Sequence, residues 1–309
     1  MTKRRLPDEL MFIENSRAIQ GTTTASMAGK VCVVSGSTSG VGLAAVKRLA
    51  RGGAQIVMVC RNREKAEGIR QVLVAQYGVT VEIVTADFSD LDQVRKASET
   101  LLGGFPRIDV LIHSVGVHCT TRTTTRDGLE TVFCVNHLGP LLMTYRLLER
   151  LKQSAPARII YVNSEGHRFG GLDPNDLNWE KRFYIGLRSY GASKTAQLLT
   201  MWEFADLLRG SGVTINAMHP GDVRTNIGHN NGPLYRWFLH HVTWHLLKDP
   251  VISGEALYYL AAAPEVAEVS GRFFHLTIDE KPAAHALDRV LGRRVWDASL
   301  RLTGLTPGP

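Results

Sequence analysis

Short apolar runs recur along the chain, each followed by a stretch in which apolar residues return every third or fourth position. KVCVVSG (30–36), AQIVMVC (54–60), VTVEIVTAD (79–87), IDVLIHS (108–114), ARIIYVN (157–163), VTINAMHP (213–220) and GRFFHL (271–276) read as strands. Most are continuously apolar rather than alternating, the pattern of strands covered on both faces. Helical periodicity follows from Val41 until Gly52 and Gly53 stop it, then over 64–76, 91–102 and 127–153, and along the segment that carries Tyr190 and Lys194. Strand and helix alternating at this spacing predict one doubly wound α/β domain, with a mostly seven-stranded parallel sheet flanked by helices. Right-handed crossovers in such a sheet bring the C-terminal strand ends to one edge, where ligands bind. That domain covers residues 28–309, and residues 1–27 read as a polar arm with a short helix near 10–17. No internal repeat is visible beyond the alternation itself.

Composition narrows the classes. The 309 residues are 44% hydrophobic and 21% charged, ordinary for a globular chain with one sizeable core. No apolar run approaches the roughly 18 to 20 residues of a membrane span, so no transmembrane anchor is expected. The basic N-terminus has no apolar stretch behind it and does not read as a secretory signal. Cys32, Cys60, Cys119 and Cys134 show neither CxxC nor zinc-like spacing. Buried reduced thiols and a cytoplasmic location are the expectation. The net charge of +7 is scattered, and no nucleic-acid motif accompanies it, so a basic cofactor pocket and solvated faces account for it better. His241 and His245 stand one helical turn apart, but no third ligand is evident, and no metal is expected.

The loop SGSTSGVG (35–42) joins the first strand to the first helix, with Gly36, Gly40 and Gly42 among Ser37, Ser39 and Val41. Residues without Cβ permit a tight turn and close backbone approach to a pyrophosphate, while the helix N-terminus offers free N–H groups and positive potential. The placement predicts a Rossmann dinucleotide site. Folds of this type that prefer NAD set a carboxylate at the end of the second strand. Here that strand ends in Cys60 and Arg61, with Arg63 and Lys65 close by. A guanidinium matches a 2′-phosphate in charge and fork geometry, which favours NADP(H). Tyr190 and Lys194 lie at i and i+4, on one helix face.

Taken with VNHLG (135–139), YVNSEGHR (161–168), YGASK (190–194) and HPGDVRT (219–225) in this order, these features resemble the short-chain dehydrogenase/reductase family over nearly the whole chain from about Gly29. CRN after the second strand, NHLGP, and the terminal RVWDASLRLTG resemble its retinol-dehydrogenase-like branch. The resemblance implies a catalytic set of Ser164, Tyr190 and Lys194, with Asn136 holding a relay water. It further implies cofactor contacts from Asp87 and Phe88 at the adenine, Gly116 after the fourth strand, Tyr190 and Lys194 themselves, and Pro220, Gly221, Val223 and Thr225 at the nicotinamide. The chain departs from the family's Asn-Asn-Ala-Gly after the fourth strand, which here reads His113-Ser114-Val115-Gly116, and Asn163 replaces the usual serine before Ser164.

The Tyr–Lys spacing then has a chemical rationale. Reducing a carbonyl leaves charge on oxygen, which needs a proton donor in place. A tyrosine pKa near 10 is too high for easy exchange, and lowering it by roughly three units takes about 4 kcal/mol of differential interaction, for which nearby cations are the source. The expected activity is NADP(H)-dependent hydride transfer to or from a hydrophobic alcohol, aldehyde or ketone. Reduction of an activated C=C bond and a non-catalytic NADP-binding regulator remain the alternatives. The segment 227–250, with Leu234, Trp237, Phe238, His241, Trp244, His245 and Leu247, is expected to cover the substrate; subunit packing, a membrane surface or a core-facing helix stay open for it. The long stretch between Ser164 and Tyr190 is either a pocket wall or a surface loop. Dimers or tetramers, common in the family, are left open.

Overall fold

The computed structural model describes residues 11–15, 17–224, 227, 231 and 247–306. A short helix α1 (Met11–Asn15) precedes β1 (Val31–Ser35), α2 (Gly40–Arg51), β2 (Gln55–Cys60), α3 (Arg63–Tyr77), β3 (Val81–Thr85), α4 (Leu91–Gly104) and β4 (Val110–His113). Then come α5 (Thr131–Phe133), a π-turn (Cys134–Leu138), α6 (Gly139–Gln153), β5 (Ala157–Val162) and the long α7 (Gly186–Leu207). The chain continues through β6 (Val213–His219), α8 (Val251–Ala262), β7 (Phe273–His275), β8 (Ile278–Asp279) and α9 (Arg289–Leu302).

The strands form one sheet in the order β3-β2-β1-β4-β5-β6-β7-β8. Seven run parallel, as the apolar runs predict; the eighth, β8, is a two-residue antiparallel addition pairing Phe274 with Asp279. So short a strand carries no periodicity of its own. The order reverses between β2 and β4 around β1, which opens the crevice above the C-terminal ends of β1 and β4.

Successive strand residues point to opposite faces, and the core divides accordingly. Val33, Val57, Leu111, Ile159 and Ile215 meet α4, α6, α7 and α9 on one side. Cys32, Val34, Ile56, Met58, Ile112 and Ile160 meet α2, α3 and α8 on the other. All four cysteines are buried free thiols. Helix starts are fixed locally: Asn62 and Asp90 accept backbone N–H bonds at the heads of α3 and α4. No helix among the described residues is long and apolar enough to cross a membrane.

The described part of the N-terminal arm docks rather than projecting into solvent. Asn15 donates to Glu280 at 2.7 Å, Gly21 N–H donates to Thr277 Oγ1 at 2.7 Å, and Tyr258 donates to the Ala25 carbonyl at 2.5 Å.

His113, where the chain departs from its family, is a brace. The fully buried ring shares hydrogen bonds with Ser35 at 3.2 Å and Thr144 at 3.0 Å, tying β1, β4 and α6 together. Tyr161 donates to the Thr144 hydroxyl at 2.9 Å, so the Thr144 proton is available to Nε2 and the Nδ1 proton to Ser35. Burial pushes the His113 pKa down to about 3. In the unfolded chain the ring protonates near its ordinary value of about 6.5, so its contribution is complete above that pH and falls away as pH drops toward 3. We expect His113→Asn to reduce the slope of unfolding free energy between about pH 6 and 4 by up to one proton. We also expect it to cost about 1 to 3 kcal/mol at pH 8. Urea unfolding across that range checks both, and an unchanged slope would contradict the assignment.

Candidate active site

The turn after β1 leaves no room for side chains. Gly36 has φ +69°, and a Cβ there would lie 2.7 Å from the Val115 nitrogen; at Gly42 it would lie 2.3 Å from the Gly36 carbonyl oxygen. Helix α2 therefore begins hard against the strand ends. Ser39 makes no side-chain cap bond and the first turn holds no acidic residue, so the leading N–H groups and their positive potential are available to an anion.

This turn forms one wall of a cavity of about 840 Å³ along the C-terminal strand ends. Gly36, Ser39, Gly40 and Val41 line it beside this turn, and Arg61, Asp87, Phe88 and Gly116 line it beyond the ends of β2, β3 and β4. Ser164, Tyr190, Lys194, Pro220, Gly221 and Val223 line the opposite end. Three expected contacts stand behind the wall instead. Ser37 is buried beside the Val59 carbonyl, Gly42 packs beneath the turn, and Asn136 is enclosed. Thr225 lies outside the described residues, as does most of the segment 227–250; its Ile227 and Leu247 line the cavity. No residue between Ser164 and Tyr190 lines it, so that stretch is not a wall of this cavity. It is tied down elsewhere: Tyr184 donates to the buried Glu130 carboxylate at 3.1 Å, and Arg182 to Asp176 at 3.1 Å.

Beyond the end of β2, Arg61 is exposed on the rim with Asn62 and Lys65 beside it. Asp87 is held in place by Ser89, whose N–H and hydroxyl donate to one carboxylate oxygen at 2.9 and 2.7 Å. Asn62 and Ser89 are lining residues the sequence reading missed; their positions directly after Arg61 and Phe88 were the available signal.

At the other end, Tyr190 and Ser164 stand together on the cavity wall. Ser164 Oγ accepts the Gly166 N–H at 3.0 Å, which fixes its rotamer at the head of a short 3₁₀ turn. The His118 ring meets the Tyr190 ring edge-on at 6.0 Å. Lys194 is 3% exposed; its Nζ donates to the Val162 carbonyl at 2.8 Å and stands 5.8 Å from the Tyr190 ring centre. Asn163, read only as a substitution, proves a clamp. Its amide donates to the Lys194 carbonyl at 3.0 Å and to Gln197 at 2.8 Å, fixing α7 to the end of β5.

Asn136 sits in the π-turn that interrupts the expected continuous helix. Its side-chain oxygen accepts the Val117 N–H at 2.8 Å, and its amide donates to the Val117 carbonyl and the Ser193 hydroxyl, both at 3.0 Å. Its own carbonyl accepts from Gln197 at 3.0 Å. It thus fastens the loop after β4 to α7, and none of these bonds goes to Lys194.

Burial pushes the Tyr190 pKa up, and the neighbouring Ser164 only partly opposes it. Burial also lowers the Lys194 pKa to about 7, with the Val162 carbonyl as the acceptor for its Nζ.

Comparison with known proteins follows the same boundaries. The short chain dehydrogenase family profile matches residues 30–234. Human retinol dehydrogenase 13 is 38% identical over 286 residues, which cover 91% of this chain and 86% of that protein. Mouse retinol dehydrogenase 14 is 38% identical over 304 residues, 94% of this chain and 91% of its own length. Among solved structures, an uncharacterised protein from Mycobacterium Paratuberculosis superposes with a TM-score of 0.75 at 26% identity, covering 94% of this chain and all (100%) of its own. A short chain dehydrogenase from Burkholderia cenocepacia J2315 in complex with NADP superposes at 0.64 with 22% identity, over 82% and 97% of the two chains, a likeness of fold alone. With a profile that runs from the start of the glycine-loop strand past β6, and relatives that extend over nine-tenths of its length, the chain belongs to the short chain dehydrogenase family, on the retinol-dehydrogenase-like branch.

Proposed function

We propose that this oxidoreductase transfers a hydride between NADP(H) and a hydrophobic alcohol, aldehyde or ketone, with Tyr190 as general acid in reduction and general base in oxidation. The observation that carries the reading is the convergence of Ser164, Tyr190 and Lys194 on one end of a single cavity whose other end is the tight glycine turn ahead of α2. The nicotinamide, when bound, supplies or accepts the hydride.

The chain's own groups handle the proton. Ser164 hydrogen-bonds the substrate oxygen and stabilises the charge that develops on it. Tyr190 gives that oxygen its proton and recovers one through Lys194 and solvent. The protein by itself holds the phenol neutral, since burial raises its pKa. Activation therefore depends on positive charge brought beside it, from a protonated Lys194 and from an oxidised nicotinamide ring. Lys194 is suited to pass protons because its pKa is pushed down to about 7. Arg61 and Lys65 on the rim favour a 2′-phosphate, and the Asp87 carboxylate at the same end is engaged by Ser89. A non-catalytic regulator is the weaker reading, because His113, whose departure from the family pattern motivated it, braces the sheet instead.

Three outcomes are expected. Tyr190→Phe lowers turnover of lipophilic aldehydes at least about 10³-fold while its NADPH affinity, followed by fluorescence titration, stays within about threefold of the parent; retained turnover would defeat the acid assignment. Arg61→Ala weakens NADPH by about 10- to 100-fold and leaves NADH nearly unchanged, and equal losses for both cofactors would remove the preference. Lys194→Met abolishes turnover yet stabilises the fold. The folded pKa of about 7 lies below the ordinary 10.5, so between these values the unfolded chain binds more protons and stability of the parent rises with pH. The variant's advantage is thus largest at and below pH 7, on the order of 2 to 4 kcal/mol, and shrinks toward pH 10.5. Denaturant unfolding at several pH values reads it, and a variant that is less stable throughout would show that Lys194 is not buried at a cost.

A further inference from the structure

Behind Ser164, away from the cavity, Glu165 from the turn after β5 and His275 and Glu280 from the β7–β8 hairpin come together, with one donor atom of each within 4.8 Å of the others. Glu280 is 3% exposed and His275 2%. Arg168 donates to one oxygen of each carboxylate, to Glu165 at 2.5 Å and Glu280 at 2.8 Å. Two carboxylates facing one guanidinium leave the group short of positive charge in a buried place, an expensive arrangement. Two further observations point to a ligand. The remaining Glu165 oxygen, Oε1, is buried with no partner. Both ring nitrogens of His275 are likewise buried and unpartnered, and its Nδ1 faces Glu280 Oε2 at 3.6 Å. Buried polar atoms are almost always satisfied, so these vacant donors and acceptors call for something between them.

We infer that Glu165, His275 and Glu280 form a structural site for a divalent cation of the zinc type. An imidazole beside two carboxylates suits zinc, whereas magnesium and calcium favour all-oxygen sets. Three protein ligands leave a fourth tetrahedral position for water. Ligands at zinc stand roughly 3.4 Å apart, so the farthest pair closes by up to about 1.4 Å from 4.8 Å, within reach of side-chain rotation in the glutamates. Arg168 and Asn15, which donate to the carboxylates from outside, orient them. The ion joins the 3₁₀ turn that begins at Ser164 to the chain around β7 and β8, and through Asn15 to the N-terminal arm. Neither the hydride chemistry nor the cofactor cradle depends on it.

The test uses the full chain, stripped with chelator and titrated with zinc chloride alone by calorimetry and thermal melting. One equivalent binds, the melting temperature rises by about 5 °C at a roughly hundredfold excess over Kd, and magnesium gives no shift. His275→Ala and Glu165→Gln each weaken zinc at least tenfold, the second keeping the fold testable if the first is unstable. A double His241→Ala, His245→Ala variant binds zinc as the parent does. Zinc lost in that double variant but retained in His275→Ala would assign it to the helix-spaced pair and overturn the site. No zinc binding at all would overturn it equally, leaving water as the filler.

Discussion

A lysine ammonium taken out of water is the constraint around which this site is built. Lys194 sits mid-helix in α7, 3% exposed, with a single carbonyl from β5 as its fixed partner. Burying it works against the fold, and the surrounding polar groups hold it there regardless. Asn163 grips the backbone of the same residue and Gln197 one turn on, while Gln197 reaches across to the Asn136 carbonyl. The π-turn presents Asn136 to Val117 and Ser193, so the loop after β4, helix α7 and the end of β5 become one unit. Tyr190 and Lys194 are thus carried by a helix clamped to the end of β5 and to the loop after β4.

Much of this could be read from the chain alone. The parallel strands were legible because most are continuous apolar runs, and the Tyr190–Lys194 pair because helical spacing puts both on one face. The glycines declared themselves through their place between strand and helix, and Gly36 and Gly42 indeed stand where a Cβ would meet backbone. What escaped was whatever depends on distant partners. Nothing in CVNHL announces a π-turn, since its extra residue is accommodated by bonds to Val117 and Ser193 far along the chain. Asn163 looked like a neutral replacement because its value lies in what α7 offers it. The cost of burial escaped for a related reason: spacing reports that a cation is near the phenol but says nothing of the water both groups have lost.

The same logic reinterprets His113. A change in a family's signature segment invites a reading of lost function. In this fold the imidazole spans Ser35 and Thr144 with both nitrogens engaged, so the altered letters preserve a connection between strands through different chemistry. Sequence departures of this kind are informative only once their hydrogen bonds are counted.

The docking of the N-terminal arm has a temporal consequence. Asn15 finds its partner 265 residues later, and Gln20 bonds Thr277 across 257. During synthesis these early residues emerge long before anything exists for them to grip. The arm therefore reports on the far edge of the sheet: a chain lacking β7 and β8 loses these grips, and the cut is felt at residues 15–20.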